Sequence, residues 1–146
     1  MADEPEVRRA VAKRREGFTH DVSVRDHTVV ADEAEEDGGN DAGIKPTEYL
    51  AVALASCTAI TVEMYADRKG WDVGDLEVVA EFTPAPRGEC DHFEVTLKLP
   101  AHLTDEQTDR IRTIAQKNPA PAATDQPKTA AEVQAYVNRT GFVRSS

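Results

Sequence analysis

The strongest secondary-structure signal in the chain is residues 46–69, PTEYLAVALASCTAITVEMYADRK. Pro46 suits the first turn of a helix, Glu48 complements the positive end of the helix dipole, and Lys69 complements the negative end. Gly70 then supplies the residue that often ends a helix in a left-handed conformation. The sequence therefore predicts one long helix over residues 46–69.

The composition of this helix predicts a partner. Residues 49–62 are apolar or small on nearly every side, so they must be enclosed on more than one side. A single chain of 146 residues can hardly supply that cover. The small residues permit close approach of another helix, and a symmetry-related copy is the simplest supplier. We expect a homodimer.

The segments before the helix predict strands. Residues 18–24 alternate between apolar and polar side chains, and residues 27–31 offer a second strand after a turn at Arg25. Residues 7–14 fit either a helix or a strand, and we favour the strand, with its turn at Glu16 and Gly17. Acidic residues and glycines crowd residues 32–43, which predicts a mobile loop.

The segments after the helix alternate in the same way. Residues 76–83 and 93–99 predict two strands, joined by a surface loop that carries Cys90. Thr104 and Gln107 have the spacing of a capping box and open a second helix that ends at Asn118. Residues 131–138 predict a last strand. This order indicates a single α+β domain over residues 1–146, with antiparallel sheets around two main helices.

Composition excludes several classes of function. Seventeen basic against 27 acidic residues give a net charge of 17 − 27 = −10, which disfavours binding to nucleic acid. The uncharged residues 49–62 fall short of the roughly 20 that span a bilayer, so we expect no membrane segment. Two cysteines and an N-terminus without a secretory signal indicate a reducing, cytoplasmic location. Four histidines show no metal-ligand spacing, so neither a metal nor another cofactor is expected.

Cys57 lies in the middle of the predicted helix. It shares an apolar face with Leu50, Ala53, Leu54, Ile60 and Met64. A cysteine in such a place is most often a small core residue. A reactive thiolate there requires a nearby cation, which another part of the chain must supply.

Residues 43–70 resemble the signature helix of the OsmC/Ohr family, the osmotically inducible and organic-hydroperoxide-resistance proteins. The resemblance lies in the turn GIKP, the helix start EYL, the stretch ALASC and the exit YADRKG. TDEQTDRIRTIAQKNPA, residues 104–120, resembles the second helix of the family. The resemblance implies an intertwined α+β homodimer, in which two long central helices pack between sheets from both subunits.

The resemblance also implies roles for single residues. Cys57 occupies the position of the peroxidatic thiolate. Arg15 is the best match to the arginine that stabilises this thiolate from the first hairpin turn, and Arg25 is the reserve candidate. Two positions depart from the family pattern. Asn118 stands where a resolving cysteine is expected, so the usual disulfide step is absent.

The second departure concerns the acid that pairs with the arginine. Thr47 stands at that position, and Glu48 is one step further along, turned by about 100° to another helix face. Three hypotheses follow. The first, which we favour, is a one-cysteine hydroperoxide reductase that uses Cys57, Arg15 and an external thiol. The second is a non-catalytic dimer that binds a small apolar ligand at the subunit interface. The third is a structural stress protein.

Overall fold

The computed structural model describes residues 4, 6–84 and 90–116. The chain forms two compact units, Met1–Tyr49 and Leu50–Ser146. Within the described residues the elements are β1 (Ala10–Glu16), β2 (Thr19–Val24), β3 (His27–Ala31), α1 (Glu48–Lys69), β4 (Glu77–Pro84), β5 (Cys90–Lys98) and α2 (Asp105–Gln116). The predicted α+β class is confirmed. The predicted helix end at Asn118 and the predicted strand at residues 131–138 lie outside the described residues.

The first unit is built on an antiparallel sheet with the order β1-β2-β3. The strand favoured for residues 7–14 is confirmed, although it runs from Ala10 to Glu16. The turn consequently falls on Gly17 and Phe18 rather than on Glu16 and Gly17. Gly17 has a φ of +52°, a left-handed conformation that glycine adopts without steric cost.

The acidic loop that the sequence predicts to be mobile is anchored at Asp32. This side chain is buried, with 2% of its surface exposed. Its carboxylate accepts hydrogen bonds from the Thr19 hydroxyl at 2.7 Å and from the backbone N–H groups of Glu33 at 2.7 Å and Ala42 at 3.2 Å. The bond from Thr19, with support from the backbone N–H groups, lowers the pKa of Asp32. Composition alone does not reveal this anchor.

Two glycines let the loop close against the sheet. A Cβ atom on Gly39 would lie 2.0 Å from the carbonyl oxygen of Glu33, and one on Gly43 would lie 2.3 Å from that of Val30. The Val30 carbonyl also accepts a hydrogen bond from the Tyr49 hydroxyl at 2.6 Å. The first turn of α1 is therefore tied directly to β3.

The start of α1 differs slightly from the prediction. The helix begins at Glu48, and Pro46 lies in the turn that leads into it. The Lys45 carbonyl accepts bonds from the N–H groups of Glu48 at 3.0 Å and Tyr49 at 3.3 Å. The Glu48 carboxylate in turn accepts the Lys45 N–H at 2.8 Å, which satisfies one of the donors left open at a helix N-terminus.

The end of α1 follows the prediction. Gly70 has a φ of +69° and its N–H donates to the Asp67 carbonyl at 3.1 Å. The Trp71 N–H reaches back to the Ala66 carbonyl at 2.9 Å. These two bonds form a Schellman motif, in which a left-handed glycine lets the chain leave the helix.

The second unit contains the antiparallel pair of β4 and β5. One face of this pair is apolar across both strands, with the opposed pairs Val78 and Leu97, Ala80 and Val95, and Phe82 and Phe93. Cys90 is the first residue of β5 and is paired with Pro84, so its assignment to the connecting loop is wrong. Strand pairing extends here beyond the alternating apolar residues that mark the strand in the sequence.

The capping box predicted for α2 is confirmed. The Gln107 N–H donates to the Thr104 hydroxyl at 3.1 Å, and the Thr104 N–H donates to the Gln107 side-chain oxygen at 2.9 Å. One turn further on, Ile111 is fully buried. The cap therefore fixes the register that points this apolar side chain into the core.

One side of α1 is buried within the chain and another is not. The buried residues of the helix are Thr58, Val62 and Ala66, spaced four apart along one face. The other side holds large apolar residues that are 38–62% exposed, namely Leu50, Val52, Ile60 and Met64. The described part of the chain thus leaves an apolar helix face in contact with solvent.

Within the described ranges, α1 is long and apolar enough to cross a bilayer by length and composition, and 17% of its most apolar window is buried. The apolar segment counted from the sequence, residues 49–62, is shorter than the helix because it stops at the first charged residue, Glu63. The exposed side of the helix also carries Glu63 and Asp67. They follow Ile60 by three and seven residues, so charged and apolar groups share this face.

We predict that Thr104→Ala lowers the free energy of unfolding by about 1 kcal/mol, because the backbone N–H of Gln107, in the first turn of α2, loses its hydrogen-bond acceptor. Chemical denaturation monitored by circular dichroism measures this change. Ala101→Ser, in the exposed turn before α2, is the control and should change stability little. Equal stability of Thr104→Ala and wild type would contradict the capping role.

We predict that Asp32→Asn destabilises the protein most strongly near neutral pH. The folded pKa of Asp32 lies below its ordinary 3.8, so its stabilisation is present above that value and is lost as the pH falls through the folded pKa. The difference in melting temperature between wild type and variant should therefore shrink from pH 7 towards pH 2. Asp75→Asn, in an exposed bend, is the control and should change the melting temperature little at pH 7.

Candidate functional site

Cys57 lies in the middle of α1 and is partly buried. Its face of the helix is the one that carries Leu50, Ile60 and Met64, whereas Thr58, Val62 and Ala66 on another face are packed inside the chain. The thiol is therefore surrounded by side chains that the described part of the chain leaves partly open. A small apolar molecule or a second apolar surface can approach from this side.

Arg15 lies near the end of β1 in the first unit. The register of β1 against β2 shifts between Arg14, opposite His20, and Glu16, opposite Thr19. Arg15 is therefore the extra residue of a β-bulge. Bulges re-aim a side chain relative to the regular pleat and occur often beside active sites.

The guanidinium of Arg15 makes a two-point ion pair with Asp21 on β2. Its Nε donates to one carboxylate oxygen of Asp21 at 3.2 Å, and a terminal nitrogen donates to the other. Both side chains remain partly exposed, at 48% and 40%. The hydrogen bond and the charge of Asp21 raise the pKa of Arg15, and the same hydrogen bond lowers the pKa of Asp21.

The other predicted site residues fall into two groups. Thr47 and Glu48 lie at the start of α1, where the Glu48 carboxylate caps the Lys45 N–H. Arg25 lies in the exposed turn between β2 and β3, with a φ of +54°. Asn118 lies outside the described residues. Of these side chains, Arg15 is the one that the structure shows in a two-point ion pair with a carboxylate.

Asp21 is a residue that the sequence analysis missed. It lies on β2, two residues before Ser23, and the hairpin pairs it with Lys13 of β1. That register places Asp21 beside a basic residue, and Arg15, two residues after Lys13 on β1, pairs with it diagonally. The pairing depends on the register of β1 against β2, which neither strand specifies by its own sequence.

The second unit also contains an open groove that does not include Cys57. Its volume is about 910 Å³, and it lies between the end of α1 and the first turns of α2. The Tyr65 and Trp71 rings meet edge-on with centroids 5.7 Å apart, and the Arg110 Nε donates to the Tyr65 hydroxyl at 3.1 Å. This hydrogen bond raises the pKa of Arg110.

Comparison with known proteins supports the architecture. The model of the OsmC-like protein family matches residues 38–136. A Psychrobacter arcticus 273-4 protein, whose name assigns it to the osmotic stress and detoxification response, has a similar structure with a TM-score of 0.69 and 16% identity. The similarity covers 88% of this chain and 94% of that chain.

Two further solved structures show the same fold. The OsmC-like protein of Mycoplasma pneumoniae has a TM-score of 0.64 and 14% identity, and the similarity covers 80% of this chain and 86% of that one. An organic hydroperoxide resistance protein of Elizabethkingia anophelis has a TM-score of 0.59 and 21% identity, with 84% and 91% covered. No curated protein matches the chain.

The fold and the family match together place the chain among α+β proteins with two helices and antiparallel sheets. Because the family model covers more than half of the sequence, the chain belongs to the OsmC-like protein family. Its structural relatives include organic hydroperoxide resistance proteins.

Proposed function

We propose that the protein is a one-cysteine, thiol-dependent hydroperoxide reductase that uses Cys57. The observation that carries the proposal is that Cys57 is partly exposed on the apolar side of α1 that residues 4, 6–84 and 90–116 leave open. Apolar surroundings favour binding of an organic hydroperoxide, because transfer of its carbon skeleton out of water lowers the free energy. Membership of a family with hydroperoxide resistance proteins supports the same chemistry.

The reaction needs a thiolate and a proton. The Cys57 thiolate attacks the outer oxygen of the hydroperoxide, the O–O bond breaks, and the leaving alkoxide takes up a proton to become the alcohol. Cys57 becomes a sulfenic acid, so the sulfur is oxidised by two electrons. Arg15 is proposed as the cation that favours the thiolate over the thiol.

An external thiol completes the proposed cycle. One thiol condenses with the sulfenic acid, releasing water and forming a mixed disulfide with Cys57. A second thiol exchanges with this disulfide, which restores the Cys57 thiol and releases the two external thiol groups joined as a disulfide. This route requires no second cysteine, which agrees with an asparagine at position 118.

We also propose that the working form is a cytoplasmic homodimer with one OsmC-like domain per chain. The match to the family model extends across residue 49, where the two compact units meet in sequence, which supports one domain. The exposed apolar residues of α1 need cover, and the charged Glu63 and Asp67 on the same side make a protein surface a better cover than lipid.

The alternative function is a non-catalytic dimer that binds a small apolar ligand at the subunit interface. The same exposed apolar side of α1 favours it, because Leu50, Ile60 and Met64 would line such a site without any chemistry at Cys57. The two hypotheses differ in the reactivity of the sulfur, which is directly measurable.

We predict that Cys57→Ser abolishes consumption of cumene hydroperoxide in the presence of dithiothreitol, because serine cannot form the thiolate nucleophile. The measurement is peroxide loss with time, and sulfenic acid on Cys57 is trapped with dimedone and identified by mass spectrometry. Cys90→Ser is the matched control and should keep the activity. Absence of wild-type turnover, with alkylation of Cys57 no faster than in denatured protein, favours the ligand-binding alternative.

We predict that Ile60→Glu converts a dimer into monomers. Ile60 is 55% exposed in the single chain and would be covered in the proposed interface, where a carboxylate is costly to bury. Light scattering coupled to size-exclusion chromatography gives the molar mass directly. Ala101→Glu introduces the same group in an exposed turn and should leave the dimer intact. A wild-type protein that is monomeric at all concentrations contradicts the proposed interface.

A further inference from the structure

We infer that the groove between the end of α1 and the first turns of α2 is a second ligand site, which binds a small aromatic carboxylate. The groove lies within the second unit, and its volume of about 910 Å³ falls in the range of small-molecule sites. Tyr65, which lines it, lies two turns beyond Cys57 on α1, about 12 Å along the helix axis. The inference is therefore independent of any chemistry at Cys57.

The aromatic wall of the groove forms where the chain leaves α1. The Trp71 N–H donates to the Ala66 carbonyl at 2.9 Å, so the end of the helix fixes the backbone that carries the indole ring. The rings of Trp71 and Tyr65 meet edge-on, with centroids 5.7 Å apart and an angle of 74° between their planes. Both side chains are half-buried, so part of each ring remains accessible from the groove. An aromatic ligand packs favourably against such rings as it leaves water.

The cationic wall of the groove is formed by Arg110 of α2. Its Nε donates to the Tyr65 hydroxyl at 3.1 Å, which ties the guanidinium to the aromatic wall. This bond uses the Nε–H group and leaves the donors of the two terminal nitrogens. Within residues 4, 6–84 and 90–116, Arg110 forms no ion pair with a carboxylate. The guanidinium is therefore oriented, and its planar fork matches the two oxygens of a ligand carboxylate.

The direction of Arg110 is set by tertiary contact rather than by its own helix. Glu106 lies four residues before it, the spacing at which an acid and a base on one helix commonly pair. These two described residues form no ion pair, because the arginine reaches across to Tyr65 of α1 instead. The Lys69 ammonium lies 5.7 Å from the centroid of the same Tyr65 ring. Two cations from different helices thus meet at one aromatic side chain.

The charges that line the groove favour an anion with a single negative charge. Lys69 and Arg110 supply two positive charges, and Glu106 and Asp109 are the acids among the lining residues. Asp109 is paired with Arg112 at 3.0 Å, so its charge is already compensated. The remaining balance is 2 − 1 = +1, in a chain whose net charge is −10. A carboxylate fits this balance better than a phosphate monoester, which carries about 1.5 to 2 negative charges.

The two walls together define the class of ligand. A small carboxylate without a ring contacts exposed cations alone, and such contacts contribute little in water. A neutral aromatic molecule contacts the Tyr65 and Trp71 rings but gives Arg110 no acceptor. A molecule that joins a ring to a carboxylate satisfies both walls at once. The order of affinity among such molecules therefore tests the site.

The test is isothermal titration calorimetry of the full chain with trans-cinnamate as the probe. Cinnamyl alcohol, acetate and phenyl phosphate should each bind at least about tenfold more weakly, because each lacks the ring, the charge or the matching charge number. Trp71 is the single tryptophan of the chain, so a change in its fluorescence on addition of cinnamate reports binding at the groove. Cys57→Ser should bind cinnamate as wild type does.

Three variants test the walls of the groove. Arg110→Gln should weaken cinnamate binding about tenfold, because the charge-assisted hydrogen bonds are lost. Arg110→Lys should recover only part of the affinity, because an ammonium keeps the charge without the planar fork. Tyr65→Phe keeps the ring and removes the hydroxyl that orients Arg110, so it should weaken binding about threefold. Circular dichroism shows that each variant is folded, and Tyr65→Phe is the test if Arg110→Gln is not.

Arg68→Gln is the matched control, because it removes the same charge from an exposed position at the end of α1 that does not line the groove. It should bind cinnamate as wild type does. No measurable binding of cinnamate to wild type overturns the inference. Equal affinity for cinnamate and cinnamyl alcohol overturns it as well, since binding then needs only an apolar surface. Equal loss of affinity in Arg68→Gln and Arg110→Gln assigns the effect to net charge and also overturns it.

Discussion

The rest of the structure depends on one constraint: α1 is apolar on more sides than the described part of the chain covers. Its inner side buries Val62 and Ala66, whereas Ile60 and Met64 remain more than half exposed. Exposed hydrocarbon of this extent is unfavourable in water, and the proposed function supplies its cover. Cys57 lies on this side of the helix. The same constraint therefore connects the proposed dimer, the proposed substrate class and the alternative of an apolar ligand.

A second constraint governs how the chain enters α1. The buried carboxylate of Asp32 accepts hydrogen bonds from both ends of the acidic loop. The Tyr49 hydroxyl, in the first helical turn, donates a hydrogen bond to the Val30 carbonyl. Lys45 forms ion pairs with Asp37 and Glu33 of the same loop. The hydrogen bond from Lys45 to the Asp37 carboxylate, together with the negative charge of Asp37, raises the pKa of Lys45. An acidic segment that composition describes as a solvated loop thus becomes the support for the helix that carries the thiol.

The candidate site divides into what local sequence specifies and what it does not. The position of Cys57 and its apolar neighbours follow from helical spacing. The choice of Arg15 came from resemblance to a family, and the structure adds the bulge and the carboxylate of Asp21. Thr47 stands at the position where the resemblance to the family places an acid, and Glu48 caps the helix. The carboxylate that pairs with Arg15 lies on β2 instead.

The sequence by itself determined the α+β order of elements, the strands of the first hairpins, the glycine end of α1 and the capping box of α2. Each depends on residues within a few positions of one another, where side-chain periodicity and backbone preferences act directly. Only the tertiary structure decided that Asp32 is buried, that Cys90 belongs to β5 and that Arg15 sits on a bulge facing Asp21. These features arise from pairing between separate segments, whose register and irregularities no single segment encodes.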